Sequence, residues 1–294
     1  MKRLTLEKLS LLQINKINDL LRICSEKDPI RLSVPVAEAN VRLKGERFFF
    51  LYEHGQLISM IHLFFPDWTT GELIGFTHPN FRQKHYFRRL LDTALNCAEN
   101  LELEQVYLLS DGNSPDAIKA LDALGLDIEY SEYMLSKQLI PSPAVFDPVI
   151  DSAHDIDRQL SLWEVDHTQL TSGLFARIFH MDAAQCKAYI DDISADERIH
   201  SYIFSLDGKH IGQTQLTFIG DMAYISGFGI LPEYRRQGLG LAFLNLLEKK
   251  LAAESITQLT LQVSSHNKTA LSLYRKDGFD VLECLNYHPL FEEV

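Results

Sequence analysis

The residues best suited to chemistry gather in two stretches of the C-terminal half. The first reads Arg235-Arg236-Gln237-Gly238-Leu239-Gly240. Ahead of it, Met222 to Ile230 reads as a strand. Behind it, Leu239, Phe243, Leu246, Leu247 and Leu251 fall on one helical stripe. A strand that turns through glycines into a helix suits an anion, because the first-turn N–H groups lack partners and face the positive end of the dipole. Gly238 and Gly240 carry no Cβ, so a phosphate oxygen can approach the backbone, and Arg235 and Arg236 add charge. The second stretch runs from Asn267 to Phe279. Asn267 suits an N-cap, Ala270, Leu273 and Tyr274 share a helix face, and Gly278 suits the position after the helix end.

The spacing excludes several alternatives. It is not G-x-G-x-x-G, and no G-K-[ST] is present to hold a nucleotide and magnesium. There is no H-E-x-x-H, no close His/Cys/Asp cluster and no serine elbow, so neither a metal site nor hydrolase chemistry is expected. An ordinary tight strand-to-helix turn is the plain alternative for the first stretch, and packing is the plain alternative for Tyr274.

The first stretch resembles the pyrophosphate loop of the GNAT superfamily of acyl-CoA N-acyltransferases, [RQ]-x-x-G-x-[GA], with Ile230 and Pro232 in front. The second resembles that superfamily's N-x-x-A-x-x-x-Y-x-x-x-G-F segment. The resemblance implies that acetyl-CoA is the cosubstrate, with Arg235, Arg236, Gln237, Gly238, Leu239 and Gly240 at its pyrophosphate. It implies that Asn267 lies near the pantetheine arm and Tyr274 near the sulfur. Backbone around Phe228 and Ile230 then binds pantetheine and donates to the thioester oxygen. The implied reaction is acetyl transfer to a primary amine by direct attack.

That reaction needs a polarised carbonyl, a neutral amine and a proton for the leaving thiolate. Backbone N–H groups can serve the first. Tyr274 is assigned the proton, since a thiol near 8.5 and a phenol near 10 are close enough for help through a hydrogen bond. The amine is harder, because a lysine-like amine is neutral in only about one molecule in a thousand at pH 7. Some superfamily members place a glutamate eleven residues before the loop's first residue, where this chain has Tyr224. Tyr224 could relay a proton through water. Ser226, His266, Glu283 and Tyr287 are further candidates by location.

The elements that must position these groups occur twice. Gly55 and Gly208, Ile58 and Ile211, Phe65 and Phe218, Pro79 and Pro232, Arg82 and Arg235, and Gly125 and Gly278 are each 153 positions apart. No insertion is needed between these anchors. The first copy reads as helix Leu9 to Ile23, hairpin Phe48 to Phe65 turning at His54-Gly55, strand Gly71 to Phe76 and helix to Leu101, then strand Gln105 to Ser110, helix Ser114 to Leu124 and strand Tyr130 to Ser136. Its loop puts His85 and Phe87 where the second copy has Gly238 and Gly240, and Leu121 where it has Tyr274. Two side chains then occupy the space a pyrophosphate needs, so this copy reads as degenerate. The alternative is that Arg82, Lys84 and His85 still hold an anion.

Pro141, Pro143 and Pro148 mark a linker. The expected division is a degenerate domain over 1–138, a linker over 139–157 and an acetyl-CoA-binding domain over 158–294. The second copy reads as strand Leu162 to Asp166, helices Leu170 to His180 and Ala183 to Ile190, an acidic connector with Asp191, Asp192, Asp196 and Glu197, hairpin Tyr202 to Phe218, the two motifs joined by strand Gln258 to Val263, and a closing strand Val281 to Tyr287. The connector could attract a cation or be a solvated loop. The fold class is α/β, two GNAT-like domains in tandem, each a mixed, mostly antiparallel sheet flanked by helices, with the halves packed on each other.

Composition agrees with a globular protein. Of 294 residues, 46% are hydrophobic and 23% charged, and no apolar run reaches a membrane span. The net charge of −12 argues against nucleic acid or anionic membrane as partner; it is compatible with a small-molecule or peptide amine acceptor, and simple solubility accounts for it as well. Cys24, Cys97, Cys186 and Cys284 are far apart, and the N-terminus lacks a signal-peptide core, so a cytoplasmic location with buried free thiols is expected. Two rivals are a coenzyme A binding module without turnover and a relative that uses aminoacyl-tRNA. The intact Tyr274 and the acidic balance speak against them in turn.

Overall fold

The computed structural model describes residues 2–28, 30, 32, 34, 47–66, 69–101, 103–142, 149–150, 159–166, 169–194 and 196–290. Contacts divide the chain into two compact units. Unit 1 is Met1–Tyr133, Ser264–His266 and Glu283–Val294, and unit 2 is Met134–Val263 and Asn267–Leu282. The contiguous division at residues 138 and 158 therefore gives way to an interleaved one. The physical reason is strand pairing. Leu285–Pro289 pairs antiparallel with Tyr107–Asp111 of unit 1, although it closes the second sequence copy.

In unit 1, β1 (Lys2–Leu6) precedes α1 (Leu11–Lys27). Apolar spacing predicts this helix at Leu9 to Ile23. The start is set instead by a capping box, in which Ser10 Oγ accepts from Gln13 N and Gln13 Oε1 accepts from Ser10 N at 2.6 Å. β2 (Phe48–Glu53) and β3 (Gln56–Phe64) form a hairpin on His54 (φ 48°) and Gly55 (φ 82°), a turn whose twist matches the strands. Then come β4 (Thr70–Thr77), a 3-10 turn (Pro79–Phe81), α2 (Tyr86–Asn100), β5 (Gln105–Asp111), α3 (Pro115–Asp122) and β6 (Tyr130–Gln138). Only β4 and β5 pair in parallel among the registered pairs of this sheet. Both faces are buried. Phe48, Phe50 and Met60 pack with Ile17, Leu20 and Cys24 of α1, while Phe49, Ile61 and Leu63 pack with Leu90, Leu91 and Ala94 of α2.

In unit 2, β7 (Val149–Ile150) pairs with β8 (Leu160–Val165), so the proline-rich stretch contains a short strand. Of the expected linker, 143–148 and 151–157 lie outside the described residues. α4 (Gln169–Phe179) and α5 (Ala183–Ser194) follow. α5 runs past its expected end, so Asp191 is helical rather than part of a connector. The hairpin of β9 (Ile199–Leu206) and β10 (Lys209–Ile219) turns on Asp207 and Gly208. β11 (Met222–Ile230), a 3-10 turn (Pro232–Tyr234), α6 (Leu239–Ala253), β12 (Gln258–Ser264), α7 (Lys268–Lys276) and β13 (Asp280–Pro289) complete the order. The sheet is again antiparallel from β8 to β11, with β11 and β12 parallel.

The repeat holds element by element. Tyr86 and Leu239 open α2 and α6, Gln105 and Gln258 open β5 and β12, and Pro115 and Lys268 open α3 and α7, each pair 153 positions apart. One insertion does exist. β4 runs against β3 without a break, whereas β11 shifts register between Gln213 and Gln215, so Gly227 and Phe228 stand opposite Thr214 alone. A shorter connection before β11 balances this β-bulge, and so the flanking anchors keep their offset.

No helix among the described residues is long and apolar enough to cross a membrane. Cys24 and Cys186 are buried, while Cys97 and Cys284 are half-buried.

Candidate active site

The site in unit 2 is built where β11 and β12 part. They pair with each other from Met222 with Gln258 to Ile225 with Leu261, and past that point no register between the two is recorded, while β11 stays paired with β10. The bulge lies on β11 just past the parting, so backbone N–H groups there leave the regular ladder. At the far end of β11 the chain enters α6. Gly238 is its N-cap at φ 78°, a conformation that favours glycine, and no side chain caps the helix. The first-turn N–H groups therefore face outward. A Cβ on Gly238 would meet nothing within 4 Å, so it is the backbone angle and access from outside, not crowding within the protein, that call for glycine here.

The loop's side chains divide the work. Arg235 is exposed, but its guanidinium is engaged. Its Nε donates to Ile230 O at 2.9 Å and its Nη2 to Ile178 O at 2.7 Å, so it ties the loop to β11 and α4. Arg236 is exposed with φ 61°, and Gln237 Nε2 donates to Glu233 O at 3.2 Å. Leu239 is buried in the core, which leaves only its backbone for a ligand. Gly240 is not crowded, since a Cβ there would lie 3.5 Å from Leu273 Cδ2.

The second motif closes the other side. Asn267 Oδ1 accepts from Ala270 N at 3.1 Å and caps α7, and Gly278 follows its end at φ 91°. Tyr274 is 6% exposed, and burial pushes its phenol pKa well above the usual range. Phe228 joins the two motifs. Its ring stacks on Phe243 of α6 at 4.8 Å and meets Tyr274 at 6.1 Å. Ile230 is buried, and its carbonyl serves Arg235.

Tyr224 lies on the paired part of β11, opposite Thr217 and Thr260. Four residues of strand, about 13 Å, separate it from Phe228. Of the other base candidates, His266, Glu283 and Tyr287 belong to unit 1, because the tail of β13 completes that unit's sheet. There Tyr287 stacks on Tyr130 at 4.3 Å and His266 packs beside Tyr130. Ser226 remains on β11, where its carbonyl accepts from Thr214 Oγ1 at 3.0 Å. In the acidic connector, Asp196 is paired with Arg198 at 2.6 Å, and those hydrogen bonds hold its carboxyl down at about 2. The side chain of Asp192 lies outside the described residues.

The equivalent place in unit 1 also opens, since β4 and β5 pair only from Thr70 with Gln105 to Leu73 with Leu108. His85 takes the N-cap of α2 in the same left-handed conformation, φ 59°. Phe87 does not project into anion space as its position predicts. Its ring turns inward onto Gly75, where a Cβ would lie 2.5 Å from Phe87 Cε2. Gly75 and Phe87 thus exchange roles with Phe228 and Gly240. One copy sends the aromatic ring from the strand, the other from the helix. Arg82 is held by Asp28 at 2.6 Å and Asp116 at 2.7 Å, and Lys84 donates to Asn80 O, so these cations are already engaged. A cavity of about 470 Å³ remains there, lined by Phe76, Phe81, Phe87, Leu109, Leu121 and Arg82 among others.

A profile of the acetyltransferase (GNAT) family matches residues 14–126 and again 164–279. The [ribosomal protein bS18]-alanine N-acetyltransferase of Escherichia coli K12 is 31% identical over 94 residues, which are 32% of this chain and 64% of that protein. The match thus spans less than two thirds of this curated relative's length. A GCN5-related N-acetyltransferase from Sphaerobacter thermophilus superposes with a TM-score of 0.70 at 15% identity, over 98% of this chain and 95% of its own. A tandem GNAT protein from the clavulanic acid biosynthesis pathway superposes with a TM-score of 0.68 at 14% identity, over 98% and 97%.

Proposed function

Since the chain belongs to the acetyltransferase (GNAT) family, we propose that unit 2 binds acetyl-CoA across the parting of β11 and β12 and transfers its acetyl group to a primary amine. One observation carries this reading. The uncapped N-terminus of α6, set by Gly238, and the buried phenol of Tyr274 meet through Phe228 at one opening of the sheet. The pyrophosphate lies on the first-turn N–H groups of α6, with Arg236 beside it. Arg235 holds the loop in place. Asn267 flanks the pantetheine arm, and the backbone around Phe228 and Ile230 lines it. A bulge N–H donates to the thioester oxygen. The amine nitrogen attacks the carbonyl carbon, the C–S bond breaks, the nitrogen releases its extra proton to water, and the thiolate takes one by way of the Tyr274 hydroxyl, which is itself reprotonated. Polarisation falls to backbone groups, so the step needs no metal. The setting is the cytoplasm.

In unit 2 the place eleven residues before Arg235 holds Tyr224 rather than a carboxylate, and a phenol there can act only as a relay through water. An enzyme without a strong base is best served by an amine already partly neutral. An α-amino group, with a pKa of about 7.7–8.0, meets that condition far better than a lysine side chain near 10.4. The similar Escherichia coli protein is named for an alanine acceptor, which supports an α-amine here. The missing base also favours one second reading, a coenzyme A binding module without turnover.

Calorimetric titration of the full chain with acetyl-CoA tests the assignment. One equivalent is expected, with binding lost in Gly238→Glu, which sets bulk and negative charge at the phosphates. Two equivalents would mean that unit 1 also binds, and none would sink the reading.

A further inference from the structure

We infer that the buried carboxamides of Gln213 and Gln215, with the hydroxyl of Tyr189, form the acceptor-recognition site of unit 2, and that the acceptor carries an amide or peptide unit beside its amine. This rests on the catalytic reading above. Both glutamines are fully buried on β10. Register with β9 is regular across them, Gln213 with Ile203, Thr214 with Tyr202 and Gln215 with Ser201, so the two amides share one face. Ile203 packs on that face with Leu174 and Ile178 of α4. Tyr202 lies on the opposite face, with Lys250 of α6 over its ring.

The amides are unsatisfied. Gln213 has no hydrogen bond at Oε1 or Nε2, and Gln215 has none at Nε2. Only Gln215 Oε1 is engaged, accepting from the Tyr189 hydroxyl at 2.7 Å. Burial pushes that phenol up to about 12, so it stays a donor and fixes which way the Gln215 amide points. Buried polar atoms without partners are costly, and an apolar pair would pack here without that cost. Their presence is explained by a bound group that satisfies them.

Their position names that group. Gly227, at φ 56°, forms part of the bulge, and a Cβ there would lie 2.0 Å from Gln215 Oε1 and 3.1 Å from the Tyr189 hydroxyl. The bare bulge therefore faces the Gln215 amide directly. Phe228, Phe243 and Tyr274 fill the other face of β11, the side of the leaving sulfur. An amine that attacks a carbonyl held at the bulge comes from the amide face. There Gln213 offers an acceptor and a donor, and Gln215 offers a donor. The complement is a carbonyl next to an N–H. The neighbours this geometry supplies, Ile178 from α4, Tyr189 from α5, Ile203 from β9 and Ser226 from β11, bear no charge. An ammonium or carboxylate on the acceptor's recognition group would be stripped of water with no opposite charge among these neighbours.

The test uses L-alaninamide as acceptor, n-propylamine as the amine without an amide, and acetyl-CoA as donor. Gln213→Leu and Gln215→Leu should raise KM for L-alaninamide about tenfold or more with little change in kcat, the effect of losing a hydrogen bond. They should cut the preference for L-alaninamide over n-propylamine by a similar factor and leave acetyl-CoA affinity as it was. Gln213→Leu should also melt at the same temperature as the native chain or higher. Unchanged KM in both variants, acetyl-CoA binding without turnover of L-alaninamide, or a melting temperature lowered by more than about 4 °C would each overturn the inference while leaving donor binding intact. Absence of acetyl-CoA binding would overturn the catalytic reading and this inference together.

Discussion

At the scale of single residues, the role proposed for Tyr274 rests on its burial. Its phenol is raised by desolvation, so it stays protonated across any physiological pH and can meet the thiolate as a hydrogen-bond donor. Tyr274→Phe is expected to lower kcat by about 10²-fold or more, with acetyl-CoA affinity near normal, as read by turnover beside calorimetry. Equal turnover at every pH would remove the role. The same burial carries a pH signature. Below about pH 10 the phenol is protonated in folded and unfolded chains alike, and it contributes nothing. Above that the unfolded chain ionises first, so stability falls as pH rises, and Tyr274→Phe should make that fall shallower. Tyr202 and Tyr287, also raised by burial, act in the same direction.

At the scale of elements, the exchange between Gly75 with Phe87 and Phe228 with Gly240 fixes the distance between strand and helix in each unit. Gly75→Ala should destabilise unit 1 by about 1–3 kcal/mol through overpacking. Much of that loss should return when Phe87→Leu is added, and a urea double-mutant cycle measures the coupling. Simple additivity would show that the two residues do not meet. Much at this scale was legible in the sequence, because turns and caps are local. His54-Gly55, Asp207-Gly208, the Ser114 cap, the Asn267 cap and Gly278 each announce themselves by residue type. The loop and the Tyr274 helix were legible for the same reason. What was not legible depended on partners far along the chain. The bulge at Gly227 conceals that Glu72, not Gly71, shares the register position of Tyr224, Glu72 facing Phe64 and Tyr107 as Tyr224 faces Thr217 and Thr260. The inward turn of Phe87 and the use of Arg235 as a tie depend on Gly75 and Ile178, which no spacing rule connects to them. The orphaned amides of Gln213 and Gln215 looked like part of an ordinary strand.

At the scale of the whole molecule, the interleaving of the two units matters most. Unit 1 needs Leu285–Pro289 beside β5, and unit 2 includes Met134–Gln138. A chain ended at Leu282 is therefore expected to lose protease resistance across 47–133 while it still binds acetyl-CoA, as limited proteolysis and calorimetry would report. Resistance unchanged across 47–133 would show that the last strand is dispensable to unit 1. The same feature bears on synthesis. When Tyr133 leaves the ribosome, the strand that completes unit 1 is still about 150 residues from being made. At roughly 5–20 residues per second that is on the order of ten to thirty seconds. Throughout that interval β5 presents an open hydrogen-bonding edge, the kind of surface on which nascent chains aggregate. Unit 1, begun first, is thus the one that matures last, and slow translation of the residues after Tyr133 would prolong its dependence on chaperones.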